Sequence, residues 1–454
     1  ADEPSRKAAV VLKSGKGSSE WILSENESSP RFEQHARKGS YCFLPISANN
    51  SEEFMKRLGE LEKDPELLEY PKNFQYRAFQ DFQNTDAEFS MVLLAENPSK
   101  LKEEIIQAQK SVSRCFENGK DWQTPSGSFF TTKPLGQEKI AFVYPGGFNT
   151  YVGSGNSLFE MDPELHERSL SYSSKIKTLL HPEFLFPQSP SIQSEEELKQ
   201  LQQQFYDSPN PMFESGISSA VLATQVMRNA FGIEPHAAFG YSMGEVSMLF
   251  SLGVWGSMDP MSEVLNASPL FHERIAGPMN SVREYWKLKD TDFQNESLWN
   301  WYTLRAEPEL VAKALEKRKR VYLVLINTPQ EVVIAGEPSA CKELIEELDC
   351  ESHKIPVTDV VHCPPVQSEY EEIKKVHTNK VLDKPKVDFF SAADYTTTSL
   401  SSEILADNIA RFYGRTVDFS KLVEEVYRSG ARIFIDMGPR SSCARWISEN
   451  LENR

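Results

Sequence analysis

The sequence has few cysteines, no long hydrophobic run and fewer basic than acidic residues. Its six cysteines include no CxxC pair, which disfavours a zinc site and a disulfide framework and favours a reducing compartment. No apolar stretch approaches the ~20 residues that cross a bilayer, and no signal-like segment opens the chain. We therefore expect a cytoplasmic protein with no metal and no membrane span.

Basic residues are in deficit, with 49 Lys and Arg against 66 Asp and Glu and a net charge of −17. A nucleic-acid surface needs clustered basic side chains, and the run at 317–320 is short, so no nucleic-acid partner is expected. The length of 454 residues with 39% hydrophobic content is typical of a globular chain with two or three domains. The opening at Ala1, in a charged and Ser-rich stretch, fits a segment cut from a longer polypeptide.

The first part of the chain predicts a small α/β unit. A strand over Tyr41–Ser47 precedes a helix over Ser51–Lys63, for which Ser51 is available as the cap. The strand "FSMVLLAE" and a helix from Ser99 follow. A loop rich in Gly, Pro, Ser and Thr over 119–137 then indicates a domain boundary.

The next stretch, "KIAFVYPGGFNTYVGSG", predicts a strand that runs into a glycine-rich turn. Neither Gly-Lys-Ser/Thr nor the GxGxxG spacing is present, which disfavours a nucleotide phosphate loop. A helix over Phe213–Phe231 leads into "GYSMGE", where Ser242 fits the Gly-x-Ser-x-Gly pattern of a serine on a tight strand-to-helix turn. Esterases, lipases and transferases all share this pattern, so it leaves the reaction open. Glu245, just after it, is expected to stabilise the turn or the helix start.

Residues 301–357 predict the order βαββαβ, the ferredoxin-like motif. The strands are "WYTLRA", the hairpin pair "VYLVLI" and "EVVIAG", and "HKIPV". The helices are expected over Pro308–Arg318 and Ser339–Leu348. We expect this unit to be inserted into a larger α/β body that resumes with "KVDFFS" and closes with "RIFIDMGP".

A serine nucleophile needs a base, and near neutral pH the base is usually histidine. His362, in "VVHCPP", stands where the chain returns from the βαββαβ unit to the body. His236 is too close in sequence to fold back onto Ser242, because an extended strand advances ~3.3 Å per residue. Five others in polar surroundings are expected at the surface: His166, His181, His272, His353 and His377.

The segments "FVYPGG", "GYSMGE", "VVHCPP" and "FIDMGPRSS" resemble, in order and spacing, the landmarks of one enzyme family. These are the acyltransferase domains of fatty acid and polyketide synthases, the malonyl-CoA:acyl-carrier-protein transacylase family. Its landmarks are a PGQG turn, a GHSxGE elbow, a PFHS-like histidine segment and an EVGPG strand end. The resemblance covers roughly Ile140 to the C-terminus, and Tyr41–Gln137 resembles the linker that follows a ketosynthase.

The resemblance implies an α/β-hydrolase-like acyltransferase body with an inserted ferredoxin-like subdomain and a small N-terminal α/β linker domain. The expected boundaries are 1–40 for a flexible or linker segment, 41–137 for the linker domain, 138–300 with 359–454 for the large subdomain, and 301–358 for the small subdomain.

The resemblance also implies a ping-pong acyl transfer. Ser242 would become acylated by a thioester, and His362 would take its proton and later activate the incoming thiol. The backbone N–H groups of Met243 and Gly147 would form the oxyanion hole, although the family has glutamine at the position of Gly147. A backbone carbonyl near "FIDMGP" would orient His362. The implied substrates are phosphopantetheine thioesters of CoA or acyl carrier protein, with no bound cofactor, and the implied partners are the carrier protein and other synthase domains.

Three departures from the family concern the substrate. Malonyl-selective members pair the free carboxylate with an arginine on the helix after the elbow, and Arg274 is the candidate here, several residues late. Val361 stands where malonyl-selective members have phenylalanine and methylmalonyl-selective ones serine. Tyr241 replaces the histidine of GHSxGE. With Gly146 of the glycine turn, these residues are the predicted substrate-binding set. The sequence leaves two roles open for Arg440: it pairs with a nearby residue, or it binds the phosphate of phosphopantetheine.

The combination of "YPGGFNTY", "GYSMGE" and "RIAGP" resembles the acyltransferases of polyunsaturated fatty acid synthases most. That branch implies transfer or release of long-chain polyunsaturated acyl groups, with transfer and hydrolysis both open. Malonyl loading by a transacylase with a shifted arginine is the alternative. An esterase of the α/β-hydrolase fold is also open, as is a non-catalytic module that docks carrier protein.

Overall fold

The computed structural model describes residues 7–14, 17–24, 41–136, 138–155, 158, 164–170, 172–173, 181–185, 194–289, 297–357 and 359–452. The chain divides into two compact units, residues 1–136 and 137–454. In the described parts, no helix is long and apolar enough to cross a membrane.

The first unit contains an antiparallel pair and a four-stranded antiparallel sheet in the order β3-β4-β6-β5. Its strands are β1 (Lys7–Ser14), β2 (Gly17–Ser24), β3 (Cys42–Ala48), β4 (Phe89–Ala95), β5 (Trp122–Gln123) and β6 (Phe129–Phe130). Its helices are α1 (Ser51–Lys63), α2 (Glu66–Glu69), α3 (Pro71–Gln83) and α4 (Pro98–Asn118).

The cap predicted for α1 is wrong by one residue. Ser51 is the first helical residue, and Asn50 is the cap, with its Oδ1 accepting from the Glu53 amide over 2.9 Å. An asparagine in extended backbone satisfies one of the orphan amides of the first turn as well as a serine does. Phe54 and Phe130 meet edge to face in the core of this unit, with ring centres 5.0 Å apart.

The second unit contains two five-stranded sheets. Its strands are β7 (Lys139–Tyr144), β8 (Ala237–Gly240), β9 (Asn300–Leu304), β10 (Val321–Thr328), β11 (Glu331–Gly336), β12 (Ser352–Ile355), β13 (Asp388–Ser391), β14 (Thr396–Thr397), β15 (Val417–Asp418) and β16 (Ala431–Asp436). The helices that precede β9 are α5 (Leu165–Ser169), α6 (Pro182–Leu185), α7 (Glu195–Tyr206), α8 (Pro209–Gln225), α9 (Gly244–Ser251), α10 (Asp259–Ala267) and α11 (Asn280–Trp286). The later helices are α12 (Pro308–Leu315), α13 (Pro338–Leu348), α14 (Tyr370–Val376), α15 (Ser402–Tyr413), α16 (Phe419–Arg428) and α17 (Ser442–Asn450).

The first of these sheets has the order β14-β13-β8-β7-β16, with β13, β8, β7 and β16 parallel and β14 antiparallel. All four residues of β8 and the last four of β7 are buried, as expected for parallel strands covered on both faces. Helix α8 continues into a π-helical turn over Val226–Ala230, so the predicted helix over Phe213–Phe231 holds two helix types. Because β8, β7 and β16 are neighbouring parallel strands, their carboxyl ends lie side by side at one edge of this sheet.

The second sheet has the order β12-β9-β11-β10-β15, with β15 parallel to β10 and the other pairs antiparallel. Its first four strands and helices α12 and α13 follow one another along the chain as β-α-β-β-α-β. Each of these helices begins with a proline at its first position, where the missing N–H costs no hydrogen bond.

Candidate active site

Ser242 lies in the turn between β8 and α9, with φ of 55° in the left-handed region. A Cβ on Gly240 would stand 2.0 Å from the Glu245 nitrogen, and one on Gly244 would stand 1.9 Å from the Tyr144 carbonyl oxygen. Both contacts are far shorter than two atoms allow, so these positions accept glycine alone. The Gly-x-Ser-x-Gly pattern is thus a packing requirement of this turn.

Ser242 and His362 are in contact, with Oγ and Nε2 2.6 Å apart. His362 is 1% exposed and its Nδ1–H donates to the Phe412 carbonyl over 3.0 Å. Because a carbonyl only accepts, this bond sets the tautomer and leaves Nε2 free to accept from the serine hydroxyl. Burial lowers the pKa of His362 to about 4, although the bond to Phe412 acts in the opposite direction. The imidazole is therefore a neutral base at physiological pH.

The residue that orients His362 differs from the expectation. The acceptor was predicted near "FIDMGP", but it is Phe412, in the last turn of α15. Carbonyls in the last turn of a helix lack the usual partner four residues on, so they are available to side chains. The backbone N–H of His362 also donates to the Tyr413 carbonyl over 2.6 Å, which fixes the histidine from the same helix end.

A cavity of about 290 Å³ surrounds the Ser242–His362 pair. It brings together most of the predicted site residues: Gly146, Gly147, Tyr241, Met243 and Val361 all line it. Sequence reasoning missed the apolar wall from the second sheet and the segment after it, which is formed by Trp301, Leu325, Val333, Ile355 and Val357. These side chains have no signature that separates them from ordinary strand residues.

The amides of Gly147 and Met243 both belong to residues that line this cavity. Within the described residues, neither amide donates a hydrogen bond to the protein. The Met243 amide lies at the start of α9, where the first N–H groups of a helix have no intrahelical acceptor. Two unengaged amides beside the serine are the feature that an oxyanion hole requires.

Tyr241 contributes a ring to the cavity and uses its hydroxyl elsewhere. The hydroxyl donates to Asn327 Oδ1 over 2.7 Å, and the ring packs 4.8 Å from Trp446 and 5.2 Å from Phe419. Burial raises the pKa of Tyr241 well above its usual value, so the phenol stays neutral. A Cβ on Gly146 would lie 2.9 Å from this ring, so Gly146 makes room for the tyrosine.

Arg274 is not brought to the cavity. Its guanidinium binds Glu284 over 2.5 and 2.8 Å and Glu369 over 2.6 Å, and it is absent from the cavity lining. Two carboxylates therefore already occupy its donors. The geometry does not support the prediction of Arg274 as a clamp for a substrate carboxylate.

Other polar residues have structural roles. Glu245 is 1% exposed and accepts from Ser391 Oγ over 2.7 Å and from the Ala392 amide over 3.1 Å, so it ties α9 to the end of β13. Burial raises its pKa to about 7.

In the described residues, no group of three or more His, Cys, Asp or Glu is placed to hold a metal ion. Each of the six cysteines is a free thiol.

The surface prediction for the remaining histidines is wrong for two of them. His181 is buried with Nε2 2.6 Å from Glu214 Oε2, and His377 is buried with Nδ1 donating to the Ile373 carbonyl over 2.8 Å. His272 and His353 are exposed. The side chain of His166 lies outside the described residues. A buried histidine with a local acceptor has the same sequence surroundings as an exposed one.

No protein-family model matches this chain. The fold matches a solved acyltransferase domain of SpnD in complex with 2-(pent-4-yn-1-yl)malonyl, with a TM-score of 0.65 at 15% identity, covering 92% of this chain and 89% of that one. In sequence, the chain is 32% identical over 372 residues to a polyunsaturated fatty acid synthase polypeptide of Thraustochytrium sp.. The fold is that of the acyltransferase domains of polyketide synthases, and the sequence is similar to part of a polyunsaturated fatty acid synthase.

The alignment with the Thraustochytrium synthase polypeptide covers 78% of this chain and 18% of that polypeptide, so the chain corresponds to a fraction of this relative. A second structural match is a malonyl-transacylase solved in complex with its type II polyketide synthase acyl-carrier protein. It has a TM-score of 0.54 at 17% identity and covers 69% of this chain and 93% of that one.

Proposed function

We propose that this acyltransferase moves or releases long-chain polyunsaturated acyl groups from acyl-carrier-protein thioesters through an acyl-Ser242 intermediate. The observation that supports it most is the 2.6 Å contact between Ser242 Oγ and His362 Nε2 in a largely apolar cavity. A domain that only docked carrier protein would have no need of a buried, neutral imidazole aligned on a serine.

In the first half-reaction, Ser242 Oγ attacks the thioester carbonyl carbon while its proton passes to His362 Nε2. The carbonyl electron pair moves onto oxygen, which faces the Gly147 and Met243 amides, and each preorganised donor is worth ~3 kcal/mol in the transition state. The C–S bond then breaks, and the leaving thiolate takes the proton from the imidazolium. The products are acyl-Ser242 and a free phosphopantetheine thiol.

In the second half-reaction, His362 takes a proton from the incoming nucleophile, which attacks the acyl-serine carbon. The C–O bond to Ser242 breaks, and the serine recovers its proton from His362. A carrier thiol as nucleophile gives transfer, and water gives a free fatty acid. The pKa of about 4 keeps His362 unprotonated at the start of both steps.

Most of the cavity lining suits an uncharged acyl chain, although Arg440 also lines the cavity. Arg274 is engaged with Glu284 and Glu369 away from the cavity. The wall from the second sheet is mainly apolar, with Thr303 and Asn327 as its polar members. A volume of about 290 Å³ is at the lower end of the range for ligand pockets, so a long chain would extend beyond it.

Three further proposals belong with this function. Residues 301–358 form a ferredoxin-like small subdomain, supported by the β-α-β-β-α-β order and the sheet order β12-β9-β11-β10. It is inserted in a large subdomain of 138–300 and 359–454, and 41–137 is a linker domain.

The partners are acyl carrier protein and other synthase domains, supported by the structural match to a transacylase bound to its carrier protein. The substrates are phosphopantetheine thioesters, with no bound cofactor.

The test offers malonyl-CoA and a C20 polyunsaturated acyl-carrier protein separately. Intact-protein mass spectrometry follows acylation, peptide mapping locates the acyl group, and chromatography measures free fatty acid. We expect the polyunsaturated acyl group on Ser242, followed by its transfer or release. Acylation by malonyl alone would establish the alternative of extender loading, and acylation by neither would favour the docking module.

A further inference from the structure

Arg440 lies in the turn between β16 and α17 and lines the same cavity as Ser242 and His362. The residue is exposed. Its Nη2 donates to the Tyr206 hydroxyl over 2.9 Å, and its guanidinium carbon lies 5.3 Å from the centre of the Tyr151 ring. Both contacts are with neutral groups, and both hold the guanidinium at the cavity.

The charge of Arg440 is not matched by any carboxylate within ion-pair distance among the described residues. Arg274 pairs with Glu284, Arg411 with Asp394 and Arg445 with Glu331, whereas Arg432 resembles Arg440 in having no such pair among the described residues. A guanidinium has five N–H donors in a planar fork, and the Tyr206 hydroxyl takes one of them. An arginine whose other donors have no acceptor among the described residues, at the edge of this cavity, is suited to an anionic ligand.

The backbone of this turn favours glycine, yet it carries an arginine. Arg440 has φ of 72° and Ser441 has φ of 51°, both in the left-handed region that residues with a Cβ seldom adopt. A strained backbone that persists at a site is often tied to what the side chain does there. Other described residues, such as Phe148 and Lys287, share this conformation, so the role of Arg440 follows from where its side chain lies and not from the backbone alone.

The start of α17 does not itself offer an anion site. Asp436 accepts from the Gly438 amide over 3.2 Å and from the Ala444 amide over 3.1 Å, so its carboxylate already caps this helix. The positive potential at this side of the cavity thus comes from the Arg440 side chain.

We infer that Arg440 is a substrate-binding residue that holds an anionic group of the thioester substrate at the active-site cavity. This inference rests on the proposed acyl transfer at Ser242. Two parts of such a substrate carry an anion: the phosphate of the phosphopantetheine arm and the free carboxylate of a malonyl group. Both are oxyanions that accept from a guanidinium fork, and the two are separable by experiment.

The test measures kcat/KM for acylation of Ser242 by four thioesters. A C20 polyunsaturated acyl group and a malonyl group are each presented on pantetheine and on 4′-phosphopantetheine, so that phosphate and carboxylate vary independently. The variants are Arg440→Gln, which removes the charge, and Arg440→Lys, which keeps it without the fork. Arg440→Gly also removes the charge and suits the left-handed backbone, so it serves if the glutamine variant folds poorly.

Arg432→Gln is the matched control. Arg432 is an exposed arginine on β16 whose guanidinium carbon lies 3.9 Å from the Tyr427 ring centre, and it does not line the cavity. We expect this variant to match the parent on every thioester. The control separates the loss of one surface charge from the loss of the Arg440 contact.

We expect Arg440→Gln and Arg440→Gly to lower kcat/KM about 10-fold for phosphate-bearing thioesters, mainly through KM, and to leave the pantetheine thioesters unchanged. A loss confined to malonyl thioesters would identify the carboxylate as the anion and would equally support the inference. Equal loss on all four thioesters, or no loss on any, would overturn it while acyl transfer stands. A parent protein that none of the four acylates would overturn the proposed function as well.

Discussion

The hydroxyl of Tyr241 donates to Asn327 Oδ1 over 2.7 Å, which joins the residue before Ser242 to the end of β10. Asn327 Nδ2 in turn donates to Glu331 Oε1 over 3.0 Å, and Trp446 Nε1 donates to the same oxygen over 2.7 Å. Asn327 is 1% exposed. This series of bonds connects the nucleophile turn, the second sheet and α17 around one side of the cavity.

Tyr241→Phe removes the first donor of that series and leaves the buried Asn327 Oδ1 without it. We expect the free energy of unfolding to fall by ~1–3 kcal/mol, the usual cost of an unsatisfied buried polar atom. Urea unfolding followed by tryptophan fluorescence measures it. Tyr285→Phe, at a tyrosine 51% exposed, is the control and should change little. Equal stabilities of the two variants would contradict a structural role for the Tyr241 hydroxyl.

Ser242→Ala removes the nucleophile 2.6 Å from His362. We expect thioester turnover to fall by ~10³-fold or more, because the covalent intermediate is lost. Ser247→Ala tests another serine, buried on α9 and absent from the cavity lining, and should keep turnover. Mass spectrometry of the acylated enzyme and a free-thiol assay check both. Full turnover by the Ser242 variant would refute the mechanism.

The pKa of about 4 at His362, lowered by burial, predicts an acid-tolerant acylation step. A base with the ordinary pKa of 6.5 would be about 90% protonated at pH 5.5, whereas this imidazole stays almost wholly neutral there. We expect kcat/KM to be nearly constant from pH 8 to about pH 5 and to fall as the pH approaches 4. Initial rates across this range, with circular dichroism at each pH, test it. A decline centred on pH 6.5 would show that the imidazole is not desolvated.

Glu245 should make stability fall as the pH rises. Burial raises its pKa to about 7, so the folded state holds the proton more tightly than the unfolded state. The contribution is complete below about pH 4.5 and is lost between about 4.5 and 7, by up to about 3 kcal/mol. Glu245→Gln should remove this part of the pH dependence in urea unfolding. Glu346→Gln, at an exposed glutamate on α13, should keep it. Parallel curves for the parent and Glu245→Gln would contradict the prediction.

Arg274→Gln tests whether this arginine has a structural or a substrate role. Its loss leaves Glu369, 7% exposed, without its guanidinium partner, and we expect a loss of ~1–3 kcal/mol in unfolding free energy. The ratio of malonyl to long-chain acylation rates should stay unchanged. Arg428→Gln, in an exposed ion pair on α16, should change stability by less than about 1 kcal/mol. A fall in malonyl acylation alone would restore Arg274 as a carboxylate clamp.

The sequence predicted that Ser242 and His362 would lie together because steric demands limit residue choice there. Gly240 and Gly244 must lack a Cβ, and few residues other than histidine can act as the base for Ser242. The helix over Ser51–Lys63 was predicted at its observed bounds because polar capping residues mark its start, although the cap itself is Asn50 and not Ser51. Local rules of this kind act over a few residues, so they can be read without the fold.

Contacts between distant residues could not be predicted in this way. The acceptor for His362 is a backbone carbonyl 50 residues away, and every residue type offers the same carbonyl. Glu369, the partner of Arg274, is 95 residues from it, so nothing near "HERIAGP" shows that the guanidinium is engaged. The burial of His181 and His377 likewise depends on packing from remote segments.

Ser242 and His362 lie outside the stretch from β9 to Val357, whereas Trp301, Leu325 and Val333 of the cavity wall all come from it. The reacting groups and this part of the wall are thus encoded in separable pieces of sequence. Two recombination points, one on each side of residues 300–357, would exchange this part of the wall between relatives and leave the serine and histidine in place. If the proposed acyl transfer holds, we expect such an exchange to change the acyl preference and to keep the Ser242–His362 pair, provided that Asn327 is retained as the acceptor for Tyr241.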